Sequence, residues 1–202
     1  MMQILKLILG GLIVAHFLLW LSFAWQPLPF WVLFPFALLI LIGIAILFVP
    51  IKLQPVSFSD YLLGLGTGFG LYILFALGKN LIEWLNLPFI EQLHSLYALV
   101  QPVEWWHYLM LFLIVIPGEE LFWRGFVFQK VNEYVSPILA IIISSVLYAS
   151  AHIYAGTFLL LVAALIAGPV WAYLYYRTQN INIAILSHSI FNLFLLVLLP
   201  LL

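Results

Sequence analysis

Apolar residues run through this chain in long unbroken stretches, not in the alternation of a half-buried strand. Seven stretches reach spanning length, at roughly 4–24, 30–50, 61–78, 105–129, 137–154, 157–176 and 181–201. Runs of this kind satisfy their backbone groups internally only as helices, whereas barrel strands alternate polar and apolar residues. The pattern therefore predicts an all-α, polytopic transmembrane helix bundle of about seven spanning helices plus an interfacial helix. The interfacial helix falls between the third and fourth runs. There, Leu81 to Val100 places Ile90, Leu93, Tyr97 and Val100 at helical spacing among Glu91, Gln92, His94 and Ser95, with a break near Pro88. Local punctuation agrees: Ser57 and Asp60 form a capping-box pattern before the third helix, and Ser136-Pro137 supplies an N-cap and an N1 proline for the fifth.

Composition reinforces this class. With 67% hydrophobic and 6% charged residues, the chain has too little polar surface to cover a soluble globule. A net charge of -1 from six basic and seven acidic residues implies no nucleic-acid partner, and the absence of cysteine excludes disulfides and thiol catalysis. The first run, with Lys6, Ser22 and Ala24, has some features of a signal peptide, but its apolar stretch is too long for one and reads as a retained helix. Counting loops groups Lys6, Lys52, Lys130 and Arg177 on one side and leaves Lys79 on the other with Glu83, Glu91 and Glu104. The positive-inside rule then predicts a cytoplasmic N-terminus and an outward C-terminus.

Several conspicuous residues suit packing better than chemistry. Gly64, Gly66, Gly68 and Gly70 alternate along the third helix, as close helix packing requires, and no βαβ unit surrounds them. Trp105, Trp106 and His107 stand where an interfacial aromatic belt belongs, and His16 suits a hydrogen-bonded packing role in the first helix.

The second half differs, because three separate apolar helices each carry polar groups. Glu119, Glu120 and Arg124 lie in the fourth, where ionisable groups cost roughly 2.5–3.5 kcal/mol each at a helix centre. Glu120 and Arg124, four residues apart, pair; Glu119 is turned about 100° around the axis, points elsewhere and stays free to act. His152 follows Tyr148 by four residues in the fifth, and His188 and Asn192 share one face of the seventh. A carboxylate near histidine deprotonates water, and an amide with a second imidazole donates to an oxyanion, so the set suits amide hydrolysis within the membrane. Ser187 and Ser189 merely flank His188, and no nucleophile-elbow serine motif is present. With a rise of about 1.5 Å per residue, Glu119, His152 and His188 lie at roughly 16, 21 and 10 Å from their cytoplasmic helix ends, which makes His152 the outlier.

Glu119-Glu120-Leu-Phe-Trp-Arg124-Gly125, the aromatic-x-x-x-His ending at His152, and His188-Ser-Ile-Phe-Asn192 resemble the three ordered motifs of the CAAX prenyl protease type II and bacteriocin-processing family of intramembrane glutamic endopeptidases. The resemblance covers about Pro117 to Asn192. It implies an intramembrane peptide hydrolase with Glu119 as general base on water and His152 as its partner in positioning that water. His188 and Asn192 would be oxyanion stabilisers, and Glu120 and Arg124 a supporting pair. The implied organisation is one integral membrane domain over residues 1–202, with a family-like catalytic core at about 105–200. One departure stands at Tyr148, where the family's second motif usually begins with phenylalanine.

Two histidines and a glutamate also make zinc an alternative, with water as fourth ligand. Asn192, however, occupies the place of a second histidine one turn along, and metal-free, glutamate-activated water is favoured with no cofactor. The implied partners are the lipid bilayer and a membrane-associated peptide or protein substrate. A short chain without a soluble domain suits a bacterial cell membrane, where a prenylated substrate is the weaker branch. The competing functional class is a non-proteolytic immunity or scaffold protein that keeps the polar cluster as structure.

Overall fold

The computed structural model describes residues 2–202, and side chains from Leu5 onward. Eight helices follow one another: α1 Leu5–Trp25, α2 Phe30–Phe48, α3 Phe58–Trp84, α4 Ile90–Val100, α5 Trp105–Asn132, α6 Pro137–Ala155, α7 Phe158–Thr178 and α8 Ile181–Leu198. Six of them are long and apolar enough to cross a membrane, and α4 with α5, bent by 95°, makes up to a seventh span. The chain is thus an all-helical, multi-pass membrane protein. Helix α5, the fourth apolar run, is more polar than these six, since it carries Glu119, Glu120, Arg124 and Lys130.

The helix boundaries refine the sequence pattern. The capping box forms as the sequence predicts: the Ser57 N–H donates to Asp60 Oδ2 at 2.8 Å and the Asp60 N–H to Ser57 Oγ at 3.3 Å. Helix α3 runs on to Trp84, beyond the predicted end near 78, so the interfacial helix keeps only Ile90–Val100. Pro137 does open α6, but Ser136 caps it without a side-chain hydrogen bond.

Helix α8 packs against α3 on one side and against α5 and α7 on the other. The α3 contact is close because glycine permits it. A Cβ added at Gly68 would lie 2.3 Å from the Ser187 carbonyl oxygen, and one at Gly64 would lie 3.3 Å from that of Ile183. Gly66 and Gly70 meet nothing within 4 Å. Only two of the four alternating glycines therefore serve this packing, because residues two apart occupy different faces of a helix while residues four apart share one. The seam is not wholly apolar, since Thr67 Oγ1 and Ser187 Oγ share a hydrogen bond of 3.0 Å.

At one end of the bundle the α2–α3 and α7–α8 loops meet, joined by Lys52 Nζ donating to Gln179 Oε1 at 2.8 Å and by a bridge between Leu53 and Asn180. Gln129 at the end of α5 bonds the Tyr175 hydroxyl on α7, so Lys130 and Arg177 lie near the same end as Lys52. Lys79, at the far end of α3, pairs instead with Glu83 at 2.8 Å. His16 fits its packing role: its two ring nitrogens lie 3.1 Å from the Tyr154 hydroxyl and 3.3 Å from that of Ser150, tying α1 to α6.

Candidate active site

The polar centre is built on a distorted stretch of α5. Regular turns at Ile116–Glu120 are flanked by wider, π-wound turns at Leu111–Val115 and Leu121–Phe128. Pro117 accounts for the first, since it lacks an N–H and its ring crowds the carbonyl one turn earlier. Such widened turns recur at functional sites because they re-aim side chains without ending the helix. Gly118 brings α5 against α2, with an added Cβ only 2.9 Å from Leu38 Cδ1. The next two side chains, Glu119 and Glu120, are thereby held away from lipid and are 6% and 0% exposed.

Five of the six predicted site residues meet directly. His152 Nδ1 lies 2.9 Å from the Tyr148 carbonyl, an obligate acceptor, so this nitrogen carries a proton and Nε2 faces Glu119 Oε1 at 3.3 Å. His188 Nδ1 lies 2.8 Å from Glu120 Oε1, and its Nε2 is 3.7 Å from Glu119 Oε2. Arg124 donates from Nη1 to Glu120 Oε1 at 3.2 Å and from Nη2 to the Gly168 carbonyl at 3.2 Å. Glu120 Oε1 is thus shared between the Arg124 guanidinium and His188 Nδ1. Asn192, the sixth, stands at the edge: its amide donates to the His188 carbonyl at 3.4 Å, and its side chain lines the adjoining cavity.

One expectation is corrected. Glu119 does not point away from Glu120, because both carboxylates reach the same imidazole, one at each nitrogen of His188. A 100° turn between neighbours separates their Cβ atoms, but two flexible carboxylate arms converge on a ring whose nitrogens lie about 2 Å apart. His152 is indeed near the end of its helix, in a terminal 3-10 turn at His152–Ala155. It is nonetheless buried, because α1 covers that end, with the Phe23 ring 6.1 Å from the imidazole.

Aromatic rings complete the enclosure. The Arg124 guanidinium lies 4.5 Å from the Tyr148 ring centre and 5.2 Å from that of Trp171, and Tyr148 meets His152 edge-on at 4.6 Å. Tyr148 is therefore a cation–π partner of the ion pair, a role its ring performs whether or not it carries a hydroxyl. Trp171 and the Gly168 carbonyl have no counterpart among the residues that sequence reasoning singles out. Trp171 sits in an evenly apolar helix that offers no polar signal, but the Gly168-Pro169 pair marks a close approach. An added Cβ at Gly168 would lie 3.2 Å from Ser145 Cβ.

Glu119, His152, His188 and Asn192 face one cavity of about 360 Å³ whose other walls are almost entirely apolar, supplied by α2, α3, α4, α7 and α8. Among the described residues, no three His, Asp or Glu side chains are arranged to hold a metal ion. Nδ1 of each histidine is engaged with Tyr148 or Glu120, and the two Nε2 atoms approach different oxygens of Glu119.

A multi-pass helical bundle with a carboxylate set between two imidazoles beside an apolar cavity defines a class of membrane protein built around a buried Glu/His centre. Residues 101–194 match the family model described as type II CAAX prenyl endopeptidase Rce1-like, so the chain carries a domain of that family over this segment. The matched span contains every residue of the polar centre. No curated protein and no solved structure matches the chain.

Proposed function

We propose that the protein is an intramembrane endopeptidase that hydrolyses a peptide bond of a membrane-associated protein or peptide with water activated by Glu119. The observation that carries this reading is the placement of Glu119 between the Nε2 atoms of His152 and His188, at the polar end of an apolar cavity. Glu119 takes a proton from water bound on the cavity side of the Glu119–His152 contact, and the water oxygen forms a bond to the carbonyl carbon. The resulting oxyanion accepts hydrogen bonds from His188 Nε2–H and from the Asn192 amide proton that is not bonded to the His188 carbonyl. His188 donates through Nε2 while Nδ1–H rests on Glu120, whose charge compensates the imidazolium. The C–N bond then breaks, and the proton held by Glu119 passes to the departing amine, so the reaction consumes one water and leaves a carboxyl and an amine terminus.

The apolar walls suit a substrate that arrives within or from the bilayer, consistent with the endopeptidase family that residues 101–194 match. The positive-inside rule, applied to Lys52, Lys130 and Arg177, supports a cytoplasmic N-terminus. Comparing membrane proteomes of cells with the parent protein and with Glu119→Ala is expected to reveal a peptide terminus that vanishes in the variant, and so to name the substrate. With that substrate, purified Glu119→Gln is expected to remain folded and to lose cleavage by at least about 10²–10⁴-fold. Cleavage at the parental rate would leave the polar cluster as structure, as in a scaffold or immunity protein. Activity is expected to survive exhaustive chelation; stoichiometric zinc with activity lost to chelator and restored by zinc would overturn the metal-free step.

A further inference from the structure

Trp171 lies in α7, two residues after Pro169, and is 2% exposed. Its indole is flat against the His188 imidazole, with ring centres 3.7 Å apart and planes 16° from parallel. Phe191 and Tyr148 meet the indole edge-on at 6.0 and 6.5 Å. The indole N–H is out of solvent and has no hydrogen-bond partner. A buried, unpaired donor is unfavourable, so this tryptophan is held by its faces and not by its polar atom.

His188 needs such a face. Its ring is fixed only at the edge, by Glu120 at Nδ1 and, more distantly, by Glu119 at Nε2. A half-turn about Cβ–Cγ would put carbon where each nitrogen stands and dismantle both contacts. That rotation sweeps the ring through an orientation perpendicular to the indole, which a stack at 3.7 Å blocks.

We infer that Trp171 is a positioning residue for His188: its indole locks the imidazole plane so that Nδ1 stays on Glu120 and Nε2 faces Glu119 and the reacting carbonyl. The π face also favours the positive charge that His188 carries while donating through both nitrogens. The catalytic consequence rests on the hydrolysis proposed above, whereas the geometric one does not.

The test uses full-length protein in detergent with ¹⁵N-labelled histidine, the His188 signals being assigned by their loss in His188→Gln. The parent is expected to show a single His188 state with both ring nitrogens protonated, seen as one sharp pair of Nδ1 and Nε2 signals. Trp171→Leu is expected to broaden or average those signals and to lower kcat by about ten-fold, the upper end for one aromatic pair, with KM changed much less. Trp171→Phe keeps a flat ring and is expected to recover the single sharp pair of signals and most of kcat. Unchanged His188 signals and kcat in Trp171→Leu would overturn the assignment. Equal losses in both variants, or failure of both to fold, would make Trp171 a packing residue and overturn it too. If parent and Glu119→Gln cleave alike, the hydrolysis reading falls, while the nitrogen signals still decide whether Trp171 holds the ring.

Discussion

Ser187 and His188 are neighbours on α8, both buried, yet they face two different molecular environments. Toward α3, Ser187 joins a seam set by Gly64 and Gly68, where a hydroxyl pair adds one hydrogen bond to backbone-close packing. Toward α5 and α7, His188 enters a centre of two carboxylates, a guanidinium and a stacked indole. The first seam gains from proximity alone, since helices in lipid associate through packing and not through a hydrophobic driving force. The second is expensive to assemble, because each charge leaves water and must find its partner inside. One face of α8 therefore acts as a mount and the other carries the polar groups.

Substitutions on the two faces should separate stability from chemistry. Arg124→Ala, the largest expected effect on folding, strands Glu120 without its cation and should lower thermal stability in detergent by the equivalent of about 3–5 kcal/mol, together with activity. A melting temperature equal to the parent's would show that the pair contributes nothing. Asn192→Ala should act on chemistry: turnover is expected to fall by about 10²–10³-fold, with substrate binding little changed, because the donor serves charge that appears only in the transition state. A rise in KM without a fall in kcat would assign Asn192 to binding instead.

The α3 seam should respond with smaller changes, and by position. Gly68→Ala drives a methyl toward the Ser187 carbonyl oxygen, so the helices must part, at a cost of about 1–3 kcal/mol. Gly66→Ala, on the same helix but in open space, should be neutral or stabilise by up to about 1 kcal/mol through helix propensity. Thermal melts of the two variants side by side check the seam directly, and equal shifts would dissolve the distinction between the two glycine pairs.

Much of this architecture is legible in the sequence. Continuous apolar runs admit only helices in lipid, so the number of spans and most boundaries follow from hydropathy, and the Ser57–Asp60 cap from local chemistry. The residues of the polar centre stand out for the same reason, since Glu119, Glu120, Arg124, His152, His188 and Asn192 are costly in an apolar helix. Other features are not legible. That Gly64 and Gly68 face α8 while Gly66 and Gly70 do not depends on which side of α3 the partner lies.

What the sequence determined by itself, then, was which elements form and which residues are too polar to be idle, because both follow from the transfer of single groups and short segments into lipid. Only the tertiary structure decided which atoms meet. It placed both carboxylates on one imidazole, set the Gly168 carbonyl against Arg124, and laid Trp171 over His188. Each of those contacts joins side chains or backbone of different helices, and the widened turns of α5 leave no fixed helical period to relate sequence spacing to direction. They depend on how whole helices pack, and that is a property of pairs of surfaces that no single run of residues encodes.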